Sequence, residues 1–200
     1  MSRNESDAAA AFAAAEAVRK AYAVGLIERS PDFPELTYPD VRQTASRVRE
    51  AGIAVRAAAL LERREPPPAD ELMWALREID ARLEESPLPR TEWPRMAALF
   101  DRDQLARLLR ISPSSVVRYQ HGERTTPDDV AARLHMLALL TGDLAGAYNE
   151  IGIRRWFERP RTALDGRTPA SLLRARWSPD DEGPKRVRAL ARALVASPAA

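Results

Sequence analysis

"LARLLRISPSSVVRYQHGER", residues 105–124, is the stretch whose reading decides the fold. Leu105, Ala106, Leu108 and Leu109 recur at the spacing that lays one apolar face along a helix. Asp101 and Gln104, just upstream, fit a variant of the capping box, in which side chains satisfy the orphan N–H groups of a helix start. The helix is expected to end near Arg110, with Ile111 filling the corner. Ser112 suits the N-cap of a second helix, and Pro113 its first position, where a missing N–H costs nothing. Val116 and Val117 supply inward contacts, and Gly122 supplies a left-handed stop. Ser114, Ser115, Arg118 and His121 are left facing outward, with Arg124 just beyond.

Such a face has the chemistry to read DNA. Short hydroxyls at a helix N-terminus let the backbone approach the major groove, and an arginine one turn later can reach a guanine edge with two hydrogen bonds. Residues 102–124 hold five arginines against Asp103 and Glu123, a balance suited to phosphate. A capped helical hairpin whose polar face is merely solvated uses the same residues, and the hairpin alone does not separate the two.

Working outward, every periodic segment has a helical period. Phe12, Ala15, Val18, Tyr22 and Leu26 predict a helix over 8–28. "SPDFPELTYPD" (30–40) carries three prolines and is expected to be a linker. Val41, Ala45, Val48, Gly52, Val55 and Ala59 follow the 4-3-4-3-4 spacing of a helix packed along a partner, with Gly52 a candidate kink. This stripe is a candidate homodimer contact, and a core-facing helix accounts for it equally well. "EPPPAD" (65–70) stops that helix and offers Asp70 as a cap for the next, whose stripe is Leu72, Leu76, Ile79 and Leu83. "SPLPRTEWP" (86–94) is a second proline-dense break and the expected boundary of an N-terminal helical region, residues 1–90, suited to packing or self-association. Thr126, Pro127, Asp128 and Asp129 read as cap, proline and acids against the dipole of a helix carrying Val130, Leu134, Leu137 and Thr141, which Gly142 interrupts. Thr168 and Pro169 start another, and Val187, Leu190 and Leu194 place a last helix at 184–196. No strand-like alternation or hairpin signal appears, so the expected fold is all-α.

Composition narrows the function classes. The chain of 200 residues has no cysteine, which excludes disulfides and thiolate metal sites. His121 and His135 fall on different helices with no carboxylate pattern in the sequence beside them, so neither is expected to bind metal. The alanine-rich start lacks the basic-then-apolar order of a signal peptide, and no apolar run is long enough for a bilayer, so a cytoplasmic protein without membrane contact is expected. Net charge is +2. Only Lys20 and Lys185 are lysines, so the cations are arginines, which a GC-rich genome supplies together with Ala and Pro. Placement, not abundance, carries the information. No phosphate loop, paired carboxylates beside a base, or Ser–His arrangement stands out, so neither catalysis nor a cofactor is expected.

The stretch "IRRWFERPRTALDGRTPASLLRARW" (153–177) places seven arginines against two acids and interleaves them with aromatic and leucine anchors. Trp156, Phe157 and Trp177 admit a core role. The cations, Arg159, Arg161 and Arg167 among them, admit phosphate contact. Arg and Trp together also suit a protein interface.

Two segments resemble a known family. "DRDQLARLLRISPSSVVRYQHGER" (101–124) is similar to the helix-turn-helix of the Xre, lambda-repressor-like family at Leu105-Ala106, Leu109, Ile111-Ser112, Val116, Arg118 and Gly122. "WFERPRTALDGRTPASLL" resembles the core of the Xre/MbcA/ParS antitoxin C-terminal domain at Trp156, Pro160, Leu164, Gly166, Arg167, Thr168, Pro169, Leu172 and Leu173. Together they span roughly residues 93–197. The resemblance implies a helix-turn-helix region (91–150) and a small helical toxin-binding domain (151–200). It also implies a type II antitoxin that neutralises a RES-type, NAD-consuming toxin and represses its own operon. Carried over, Arg102 stands at a phosphate-contacting position. Ser114, Ser115 and Arg118 are base-facing, with Ser112, His121 and Arg124 beside them. Trp156, Arg159, Arg161, Arg167, Leu172, Leu173 and Trp177 are the partner-binding candidates. Two departures stand out: Arg110 occupies the place of a turn glycine, and Gln120-His121 replace a frequent acidic residue and its neighbour. The C-terminal end also departs from the family's glycine-then-apolar pattern. A stand-alone transcriptional regulator and a protein-binding adaptor without DNA binding are the competing functions.

Overall fold

A computed structural model describes residues 3–28, 36–174 and 176–196, and it is helical throughout. Among the described residues the sole β feature is an isolated bridge between Arg161 and Arg167. No helix of the described residues is long and apolar enough to cross a membrane. The chain divides into two compact units, residues 1–86 and 87–200.

The first unit holds α1 (Arg3–Ala23), α2 (Tyr38–Glu50), α3 (Val55–Leu61) and α4 (Ala69–Glu85). α1 packs chiefly on α4, and its buried apolar residues are small, Ala14, Ala17, Val18 and Ala21 among them. Of the expected stripe, Val18 is buried, but Phe12 is 65% exposed and Leu26 lies beyond the helix end. Lys20 enters this interface with its Nζ 2.9 Å from the carboxylates of both Asp80 and Glu84. A buried ammonium needs such partners.

Three other expectations change here. The expected linker at 30–40 lies partly outside the described residues, and its end is helical, with Asp40 accepting from the Thr37 N–H (2.8 Å) and hydroxyl (2.6 Å). The expected helix across 41–59 is two helices, because Gly52 (φ 77°) and Ala54 (φ 43°) are left-handed. Helical phase does not survive two such residues. Val41, Ala45 and Val48 are core within their own unit, while Val55 is 51% exposed, so the stripe is no continuous dimer surface. Pro68, not Asp70, is the N-cap of α4, and Asp70 lies in its first turn.

The second unit holds α5 (Pro89–Leu99), α6 (Arg102–Leu109), α7 (Pro113–Gln120), α8 (Asp128–Ala145), α9 (Glu150–Glu158), α10 (Pro169–Leu172) and α11 (Glu182–Ala196). α8 is its axis. Nearly every residue from Val130 to Leu144 is buried, as befits a helix with neighbours on all sides, and α5, α6, α9 and α11 pack on it. Gly142 lies inside this helix and does not interrupt it. The proline-dense stretch 86–94 is mostly helical: Pro89 opens α5 and Pro94 lies within it. Pro94 deprives the Arg90 carbonyl of its helical donor, and both residues are exposed.

Candidate nucleic-acid interface

The hairpin forms from the residues whose chemistry called for it. The Asp101 side chain accepts the Gln104 N–H at 2.7 Å and starts α6. The reciprocal half of the box is absent, because the Gln104 amide turns inward and donates to the Arg154 carbonyl at 3.3 Å. Arg110 ends the helix in the left-handed region at φ 58°. Ser112 then caps α7, its Oγ accepting the Ser115 N–H at 3.1 Å and lying 2.9 Å from the hydroxyls of Ser114 and Ser115. Pro113 fills the first position, and Gly122 (φ 69°) closes the helix one residue after the His121 C-cap.

The inward side of α7 is Val116 and Tyr119, with Val117 half-buried. Tyr119 stacks near Trp93 of α5, ring centroids 6.0 Å apart, and the Trp93 indole donates to the Thr126 hydroxyl at 2.9 Å. Thr126 is therefore a tether and not the cap of α8, which is Pro127. Trp93 and Tyr119 fix the roll of α7 about its axis, and sequence reasoning missed both. Trp93 was hidden in a segment read as a proline break. A large aromatic four residues after a proline that suits helix position N1 was the available signal.

Arg102, Ser112, Ser114, Arg118, His121 and Arg124 are exposed, and Ser115 is half-buried. Several carry partners. Arg102 Nε is 3.2 Å from an Asp103 oxygen, Arg107 is 3.9 Å from Glu158, and His121 Nδ1 is 3.8 Å from Glu123. Arg118 donates from Nε to the Ser114 carbonyl at 3.4 Å, which lays the side chain along the helix toward its N-terminus. Among the described residues no carboxylate pairs with Arg110, Arg118 or Arg124.

The partner-binding candidates separate into two groups. Trp156 (1% exposed), Leu173 (1%) and Trp177 (3%) are core, together with Phe157, so these aromatics take the core role. Their burial has identifiable causes. Trp156 and Phe157 meet edge-on at 5.3 Å, and Phe157 meets Phe100 at 5.6 Å. The Trp177 indole donates to the Leu108 carbonyl at 2.9 Å, so residue 177 is stitched to the end of α6. Residues 151–173 thus pack into the same core as the hairpin. Arg159 and Arg167 are exposed, Arg161 and Leu172 half-buried. The Arg161 guanidinium lies 5.3 Å from the Trp156 ring centroid, and Leu172 packs against the core. Asp165, left-handed at φ 56°, accepts from Arg167 (3.3 Å) and Arg186 of α11 (2.9 Å). Bonding to Arg186 chiefly, then to Arg167, holds its carboxyl below the usual carboxylate range.

One contact contradicts the expectation that His135 has no carboxylate beside it. Its Nδ1 lies 2.5 Å from an oxygen of Glu92, and both side chains are buried, Glu92 fully. Burial raises the Glu92 carboxyl, and the hydrogen bond from His135 offsets part of that rise. The pair ties α5 to α8 across 43 residues of sequence, beyond any local pattern. Arg188 of α11 similarly reaches buried Asp143 of α8 at 2.7 Å.

No protein family, curated protein or solved structure matches the chain.

Proposed function

We propose that the second unit is a sequence-reading DNA-binding module, with α7 in the major groove and α6 against the phosphate backbone, and that the chain is an antitoxin-type repressor of its own operon. The observation that carries this is the two-sidedness of α7. Val116 and Tyr119 lock one side into the core, while Ser114, Arg118 and His121 stay exposed on the other, and no described carboxylate pairs with Arg118. An arginine so held is available for bidentate pairing with a guanine edge. Arg102, at the start of α6, is suited to phosphate. Reading an inverted repeat requires a homodimer with recognition helices roughly 34 Å apart.

The RES-type toxin enters this proposal through the resemblance of residues 156–173 and through the exposed cations Arg159 and Arg167. A second reading, a stand-alone DNA-binding regulator, draws on one observation: Trp156, Leu173 and Trp177 are spent on the unit's own core and offer a toxin nothing.

Titration of a duplex carrying the region upstream of the gene, at several salt concentrations, tests the DNA claim. Affinity should fall steeply with salt, with a log–log slope of about −0.9 for each phosphate neutralised. Salt-independent or absent binding leaves the adaptor function. Co-expression with the neighbouring reading frame separates the other two: relief of its toxicity supports the antitoxin, and persistent toxicity supports the stand-alone regulator.

A further inference from the structure

Arg110 is the connector between α6 and α7, and it is costly where it stands. At φ 58° and ψ 45° it lies in the left-handed region, where a Cβ crowds the following carbonyl and glycine is the favoured residue. Its backbone does the ordinary work of a helix end, the N–H donating to the Ala106 carbonyl, and glycine would make the same bond. Its side chain, by contrast, explains nothing about the fold. It is exposed, and among the described residues no hydrogen bond or ion pair holds it. The other two outward arginines of α6 differ, since Arg102 has Asp103 and Arg107 has Glu158. A strained position filled by a residue that returns nothing to stability points to a function for the side chain.

Its location supplies that function. Arg110 lies two positions before the Ser112 cap, a chain path of at most about 7 Å. From there a guanidinium on a long stem has the capped start of α7, the end of the helix proposed to enter the groove, within its reach. We infer that Arg110 is a phosphate-binding residue, contacting the DNA backbone next to the entry point of α7. Because this rests on the proposed DNA binding, both must be tested together. Phosphate contact carries no sequence information, so the side chain should add affinity for every sequence alike.

The test uses the full chain with three variants, Arg110→Ala, Arg110→Gly and Arg110→Lys, on the upstream duplex and on a random-sequence duplex of equal length. Arg110→Ala keeps the strain and loses the charge. It should bind both duplexes about tenfold more weakly, with the salt slope reduced by about one and an unchanged unfolding midpoint. Arg110→Gly should bind as weakly as Arg110→Ala while unfolding about 3 °C higher, since it relieves the strain. Arg110→Lys should retain most of the affinity and the full slope. If the unaltered protein binds neither duplex, the DNA-binding proposal and this inference fall together. If it binds with a steep salt dependence and Arg110→Ala binds equally well, DNA binding stands and this inference is overturned. A stability gain in Arg110→Gly with no loss of binding overturns it in the same way.

Discussion

Residues 102–124 and 153–177 are both arginine-rich segments interrupted by apolar anchors, and the fold holds their cations differently. In the first, the anchors Leu105, Leu108, Leu109, Val116 and Tyr119 are buried and most of the polar face between them stays open to solvent. In the second, the large anchors are buried too, and three of the seven arginines turn back on the protein. Arg154 donates to the Leu99 carbonyl at 2.8 Å, Arg161 lies over Trp156, and Arg167 shares Asp165 with Arg186. Composition is the same in kind. What differs is where the held cations turn: Arg102 and Arg107 pair with exposed carboxylates, while Arg154 and Arg161 are held against a carbonyl and a ring of core residues, and Arg155 and Arg159 stay exposed as Arg110 and Arg124 do.

The largest effect should come from the second segment treated as core. Trp156→Ala should cost about 4 kcal/mol of unfolding free energy in a denaturant titration, the range for deleting a buried aromatic. A cost under about 0.5 kcal/mol, the surface range, would return Trp156 to a partner-binding role and erase the contrast. Next, His135→Leu should cost about 3 kcal/mol at neutral pH, because it strands a buried carboxylate. The sign with pH follows from the raised Glu92 carboxyl. Its stabilising share is complete below the unfolded pKa and is lost as pH rises through the folded one, so the penalty should shrink on acidification. A pH-independent penalty would mean that only packing was removed. The smallest effect belongs to Asp165→Asn. A depressed carboxyl stabilises above its unfolded pKa and ceases to as pH falls through its folded one. The variant should therefore melt slightly lower than the unaltered protein at pH 7 and coincide with it in acid. Equal melting at pH 7 would mean that Arg186 and Arg167 gain nothing from it, leaving both open to a partner.

Much of the second unit was legible because its determinants are local. The caps of α6 and α7, the Arg110 corner and the Gly122 stop all depend on residues within four positions of one another. So does the Thr168 cap, whose hydroxyl accepts the Ser171 N–H at 3.1 Å. What escaped was non-local or carried by small side chains. The Glu92–His135 pair and the Trp177–Leu108 bond join residues 43 and 69 positions apart. α1 buries Val18 and several alanines while its one phenylalanine faces out, so a stripe drawn through the larger residues holds at Val18 and fails at Phe12. In the 41–59 segment the period ran on past a backbone that had already turned, at Gly52 and Ala54. The outward face of α7 was legible residue by residue. Trp93 and Tyr119, which set its roll, were not.

Arg118 is where the account is most exposed. Its affinity for the upstream duplex and for a random duplex should be measured in the Arg118→Ala variant, alongside its unfolding midpoint. Loss of about 1–3 kcal/mol of binding to the upstream duplex, with random-duplex affinity and stability unchanged, is the predicted result. Equal affinity for both duplexes before and after the substitution would contradict a base-reading role for α7.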